Sequence, residues 1–105
     1  MKTIITSTGK GEGSLFDLRF GRAAWFCLYD DENGEVRFIE NKHANAAGGA
    51  GTKASETAIE LGVSKVISGD FGPKAKDLLD EFNIQMVILQ DDNNTVEKIL
   101  KNLKP

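Results

Sequence analysis

Three glycines within four residues, Gly48, Gly49 and Gly51, stand directly before a segment with helical periodicity. Glycine lets a backbone come close to something bulky and expose several N–H groups in succession. A helix starting near Thr52 adds the positive end of its dipole at the same place. Gly49, Ala50, Gly51 and Thr52 are therefore a candidate cradle for a phosphate, a carboxylate or an anionic metal cluster. From the residues alone, a flexible turn before a helix explains the same glycines. Arg19 and Arg22 could grip such an anion bidentately. His43, the single histidine, is a candidate metal ligand or proton carrier, set against the commoner solvated loop histidine. Cys27, the single cysteine, is a candidate ligand or reactive thiol, set against an inert core residue. Asp17 and Asp70 are turn-type acids that fix their own loops.

The groups that would make an enzyme are missing from the pattern. There is no Cys-x-x-Cys pair and no His-x-x-x-His spacing. Gly49-Ala50-Gly51-Thr52-Lys53 is not a Walker loop, because the lysine follows the threonine, and it does not match Gly-x-Gly-x-x-Gly. No pair of residues suggests a nucleophile with its base. The chain is expected to bind rather than to catalyse.

The elements that must position these residues can be read from periodicity. Thr3 to Ser7 is a β-prone run, broken by glycines at 9, 11 and 13. Residues 8–22 read as a loop anchored by Leu15, Phe16, Leu18 and Phe20. Ala24 to Asp30 and Val36 to Glu40 are strands joined by Asn33-Gly34, a strong hairpin signal. Residues 41–51 are small and polar and read as a mobile loop. Lys53 to Leu61 reads as a helix with Ala54, Ala58 and Leu61 on one face, closed by Gly62. Val63 to Ser68 is a short buried strand. Gly69 to Pro73 is a turn, with Pro73 suited to open a helix carrying Ala75, Leu78, Leu79 and Phe82. Ile84 to Leu89 is a strand. Asn94 or Thr95 caps a last helix with Val96, Ile99, Leu100 and Leu103 on its apolar face.

This order, a hairpin followed by strand–helix alternation, predicts an α/β fold with a mixed five-stranded sheet and about three helices packed on it. Ligands of such sheets bind outside the carboxyl ends of the parallel strands. Three segments should gather there: the loop 8–22, the glycine-rich helix start, and Ser68 to Pro73 with Gly69 and Gly72. Two of them end at helix N-termini, which makes a shared anion pocket the expected site.

Bulk properties narrow the classes further. The chain has 105 residues, 40% hydrophobic and 28% charged, with a net charge of −3. That is one ordinary globular domain, residues 1–105, with a modest core. The scattered lysines and negative balance argue against non-specific nucleic-acid binding. No apolar run approaches the roughly 20 residues that cross a membrane. Met1 to Ser7 is too short and too mixed for a signal peptide. One cysteine cannot form an internal disulfide, and together these features point to a cytoplasmic, reducing location.

Phe20-Gly21-Arg22-Ala23, followed by Trp25-Phe26, resembles the Phe-Gly-Arg-Ala-x-x-Phe signature of the dinitrogenase iron–molybdenum cofactor biosynthesis family (NifX/NafY-like). Gly49-Ala50-Gly51, Gly62-Val63, Val66-Ile67-Ser68-Gly69, Gly72-Pro73-Lys74-Ala75 and Thr95-Val96-Glu97 resemble the same family in order and spacing. The resemblance spans roughly residues 3–103. It implies a ribonuclease H-like motif in three layers, α/β/α, with one antiparallel strand. It also implies binding or carriage of an iron–sulfur or iron–molybdenum cluster or precursor, and a metallocluster-assembly protein as partner. Many members carry histidine directly before the Phe-Gly pair and just before the Gly-Ala-Gly run. Here those positions are Arg19 and Gly48, so the expected site is a backbone-and-dipole cradle at Gly49–Lys53 and Gly72–Lys74, with Phe20, Gly21, Arg19, Arg22 and His43 beside it. The competing expectation is a protein-interaction or chaperone-like module. A ribonuclease-type hydrolase would need clustered carboxylates for Mg²⁺, and the strand interiors carry none.

Overall fold

Strand alternation accounts for both faces of the sheet. In β1 (Lys2–Ser7), β2 (Trp25–Asp30) and β4 (Lys65–Ser68), neighbouring residues go to opposite apolar clusters. Ile4, Phe26, Leu28 and Val66 enter one cluster, and Ile5, Cys27, Tyr29 and Ile67 the other. These strands are covered on both sides, which is why they read as nearly continuous apolar runs. The remaining elements are β3 (Glu35–Glu40), α1 (Ala50–Leu61), α2 (Pro73–Glu81), β5 (Gln85–Ile88) and α3 (Val96–Leu103). The structure is a computed structural model that describes residues 1–91 and 93–105.

The five strands lie in the order β3-β2-β1-β4-β5. β1, β4 and β5 are mutually parallel, and β2 runs antiparallel to both β1 and β3. Helices α1 and α2 pack on one face through Ala54, Ala58, Ala75 and Leu79. Helix α3 packs on the other through Val96, Ile99 and Leu100. This is the three-layer mixed sheet with one antiparallel strand expected of the ribonuclease H-like motif. Each fully buried Phe, Leu, Ile or Val in these two clusters contributes roughly 1.5–3 kcal/mol.

Several boundaries differ from the sequence reading, for identifiable reasons. α1 starts at Ala50 rather than Lys53, with Gly49 as its N-cap in the left-handed region at φ 75°. Ala50, Gly51 and Thr52 are thus the first helical turn, not loop. Glycine carries no side-chain periodicity, so that turn is invisible to pattern reading. Val63 and Ile84 are buried but lie outside the strand ladders, so β4 and β5 are shorter than their apolar runs. The turn signals hold: Gly34 and Gly62 take φ 75° and 71°, as a hairpin turn and a helix C-terminus require.

Candidate functional site

Three loops meet beyond the carboxyl ends of β1 and β4. The loop after β1 is held down by a small buried polar network. Thr6 Oγ1 donates to the Asp17 carbonyl at 2.6 Å and lies 2.8 Å from Ser68 Oγ on β4. The Asp17 N–H donates back to the Thr6 carbonyl at 3.0 Å. Farther along, the Phe20 N–H donates to the Asp70 carbonyl at 3.3 Å and ties this loop to the one after β4. The buried Phe20 ring packs against Phe71, with centroids 5.0 Å apart.

Gly21 sits directly on the start of α1. A Cβ there would lie 2.6 Å from the Gly51 nitrogen and 2.9 Å from the Ala50 carbonyl carbon. Only glycine allows this approach. Gly69 is under a similar constraint from Leu18, whose Cβ would be 2.7 Å away. Gly72 is different: a Cβ would meet nothing within 4 Å, and its φ of −65° suits any residue.

These contacts leave a cavity of about 540 Å³, lined along three segments: Arg19 to Arg22, Gly49 to Thr52, and Asp70 with Gly72 to Ala75. That volume is in the range of small-ligand sites. The starts of α1 and α2 both face it, and neither has a side-chain cap. The first-turn N–H groups of a helix have no intrahelical acceptor, and Pro73 removes one such donor from α2 at the outset. The third helix shows the contrast. At α3, Thr95 Oγ1 accepts from the Lys98 N–H, and the Ser14 and Glu12 carbonyls accept from the Val96 and Glu97 N–H groups. The protein satisfies this start fully and leaves the other two turned toward the cavity.

Three cationic side chains and one carboxylate, Asp70, share the lining. Arg19 is oriented by the buried Asp17, which accepts from Arg19 Nε and Nη2 at 3.1 Å each. That hydrogen bond, and then the charge of Asp17, raise the Arg19 pKa above its ordinary value. The pairing takes one edge of the guanidinium and leaves Nη1 without a partner among the described residues. Arg22 donates from Nη1 to the Ala44 and Ala46 carbonyls at 3.1 and 2.6 Å. Lys74 has no ion pair among the described residues.

Of the residues singled out from sequence, the structure brings Arg19, Phe20, Gly21, Arg22, Gly49, Ala50, Gly51, Thr52, Gly72, Pro73 and Lys74 to one cavity. It does not bring the others. Gly69 is buried beneath Leu18 and supports the loop from below. His43 is exposed in the loop after β3 and is not part of the lining. Cys27 is fully buried in the α3-side cluster, across the sheet from the cavity, and burial pushes its thiol up to about 12. Such a thiol is not a ready metal ligand or nucleophile. Among the described residues, no group of three or more His, Cys, Asp or Glu could hold a metal ion.

Asp70 and Ala75 belong to the lining and were not singled out for it. Asp70 reads from sequence as a turn residue. Ala75 reads as core, and it lies 3.4 Å from where a Gly51 Cβ would be. Small residues at facing helix starts are the only sequence signal that could have pointed to it.

The chain belongs to the dinitrogenase iron-molybdenum cofactor family, whose sequence profile matches residues 1–105. An uncharacterised protein of Methanocaldococcus jannaschii is 28% identical over 85 residues, which is 78% of this chain and 70% of that protein. Among solved structures, the apo form of the orange protein from Desulfovibrio gigas superposes with a TM-score of 0.87 at 28% identity. The match covers 97% of this chain and 85% of the orange protein. An NMR structure from Thermotoga, described under the NifB name, superposes at 0.81 with 29% identity and the same coverages of 97% and 85%.

Proposed function

We propose that this chain is a non-catalytic carrier for an anionic iron–sulfur or iron–molybdenum type cluster, or a precursor of one, in metallocluster biosynthesis. The observation that carries the reading is the contrast among helix starts. Two uncapped N-termini and three cationic side chains converge on one cavity, while the third helix start is capped from within.

The donor set favours a particular kind of cargo. Backbone N–H, guanidinium and ammonium groups hydrogen-bond to the outer sulfur or oxygen atoms of an anion that brings its own ligands. Pro73 adds exposed apolar surface at the rim, suited to a large, weakly hydrated ion. A metal ligated by the protein itself does not fit, because among the described residues the lining holds no cysteine or histidine and a single carboxylate. Family membership and the likeness to a protein solved in an apo form favour a metal cluster over a phosphate. In this reading the chain works in the cytoplasm and passes its cargo to a cluster-assembly protein. His43 stands outside the contact set, in the flanking loop.

The test is anaerobic incubation with tetrathiomolybdate, and separately with iron, sulfide and molybdate, followed by gel filtration. A visible charge-transfer band should travel with the protein. In an Arg19→Ala/Lys74→Ala double variant, uptake should fall by about tenfold or more, as expected for two charge-assisted contacts. A band that does not travel with the protein, or undiminished uptake in the double variant, refutes the reading.

A further inference from the structure

Arg22 is placed to do two things at once. It lines the cavity, and its Nη1 spends both hydrogens on the Ala44 and Ala46 carbonyls. Among the described residues, Nη2 and Nε have no hydrogen-bond partner. The two carbonyls lie five and three residues before Gly49, the N-cap of α1. Latch and helix start are thus ends of one short segment.

That segment has one firm anchor and one light one. At its beginning, the buried Asn41 donates from Nδ2 to the Gly21 and Ala23 carbonyls at 3.0 and 2.8 Å. Its Oδ1 accepts the His43 N–H at 3.2 Å. Beyond Asn41, the bonds tying residues 42–48 to other parts of the chain are the two from Arg22, among the described residues. Residues 45, 47 and 48 are exposed, and Gly48 has open space around it. The latch therefore governs how residues 42–48 sit beside the packed start of α1.

We infer that Arg22 is a positioning residue that couples cargo to the 42–49 segment: its Nη1 holds the segment while its remaining donors meet the anion. This rests on the carrier reading above. An anion that fixes the guanidinium also fixes the two carbonyls bound to it, so cargo and segment order each other. The coupling is reciprocal. A lysine cannot substitute, because one ammonium is a point donor and cannot reach a carbonyl pair on one side and an anion on the other. The segment's outer surface then differs between loaded and empty carrier, which gives a receiving protein a way to tell them apart.

The experiment is hydrogen–deuterium exchange of the amides of 42–49, with and without tetrathiomolybdate, in the full chain and in Arg22→Lys. Binding is followed in parallel by the visible band. In the unaltered chain the probe should slow exchange across 42–49 by about fivefold or more. In Arg22→Lys the probe should still bind, more weakly, with little slowing. Without probe, Arg22→Lys should exchange faster than the unaltered chain over 42–49 and equally elsewhere. Binding without slowing, equal slowing in both proteins, or identical probe-free exchange overturns the inference and leaves the carrier reading standing. Failure of the unaltered chain to bind the probe overturns both.

Discussion

Gly72→Asp should make the protein more stable and a worse binder. Gly72 is the N-cap of α2, with φ −65° and ψ 162°, the extended geometry a capping side chain needs. A Cβ there meets nothing within 4 Å, so the aspartate costs no repacking. Pro73 at the first helical position has no N–H, so the carboxylate would accept from Lys74 or Ala75. Asp over Gly at an N-cap contributes a few tenths of a kcal/mol, and a carboxylate at a helix N-terminus about 0.3–1 kcal/mol more. The nearby Asp70 takes some of this back. The net gain should be about 0.5–1 kcal/mol, or roughly 2–8 °C in melting temperature for a domain of this size. The same carboxylate occupies donors proposed for the cargo and adds a negative charge to the cavity. Tetrathiomolybdate affinity should therefore fall by about tenfold or more. Thermal denaturation by circular dichroism and titration by visible absorbance read the two effects. Gly72→Ala is the control: it adds the Cβ without the oxygens, so stability should drop slightly and binding persist. A Gly72→Asp protein that is less stable, or that binds as well as the original, would refute the idea that this helix start is left uncapped for a ligand.

Gly21→Ala should destabilise the fold by about 1–3 kcal/mol in urea denaturation, because its Cβ would press on α1 backbone that no rotamer change can move. Thr95→Ala should cost about 1 kcal/mol through loss of the α3 cap, without altering probe affinity. Arg19→Ala should cost about 1 kcal/mol by leaving the buried Asp17 carboxylate without its main partner, while Arg22→Ala, which strands only carbonyls in an exposed loop, should change stability by less. Cys27 should resist thiol reagents in the native protein from pH 7 to 9 and react once unfolded. Because its folded pKa is raised from 9.0 to about 12, its contribution is fully present below pH 9 and is lost as pH rises toward 12. The decline is up to about 1.4 kcal/mol per unit, read from denaturation midpoints against pH.

Elements governed by side-chain periodicity were legible in the sequence. The hairpin, the Ala75 and Leu79 side of α2, the apolar face of α3, the Thr95 cap and the Gly62 C-terminus follow from residue types that act locally, whereas Phe82, read onto the α2 face, is its C-cap and half exposed. So does the mixed sheet, since a hairpin followed by strand–helix alternation leaves few arrangements. What pattern could not supply was contact between distant backbones. The glycine at 21 marks a close approach, but its partner, the Gly51 nitrogen, is 30 residues away in sequence. The glycine at 69 looked like a cavity residue and is instead pressed beneath Leu18. His43 and Cys27 drew attention as the single residues of their kinds. Position excludes both from the lining, one in an exposed loop and the other across the sheet. Arg19 and Arg22 were legible as cations near the site, but not that each is held by one edge, because Asp17 and the 44–46 carbonyls act through geometry rather than motif.

That half-held state is the feature the two arginines share with the two helix starts. A guanidinium wholly free in solvent is flexible and loses entropy when it binds. One fully paired has nothing left to offer. Arg19 leans on a buried carboxylate and Arg22 on a pair of carbonyls, so each is oriented before any anion arrives while keeping donors in reserve. The first turns of α1 and α2 are likewise fixed by packing at Gly21, Gly51 and Ala75, yet their N–H groups lack side-chain caps. A site built this way needs no residue whose type announces a metal. It needs glycines where backbones touch and neighbours that hold the donors still. On the proposed reading, such a site keeps the means to hold an anion with arginine at 19 and glycine at 48.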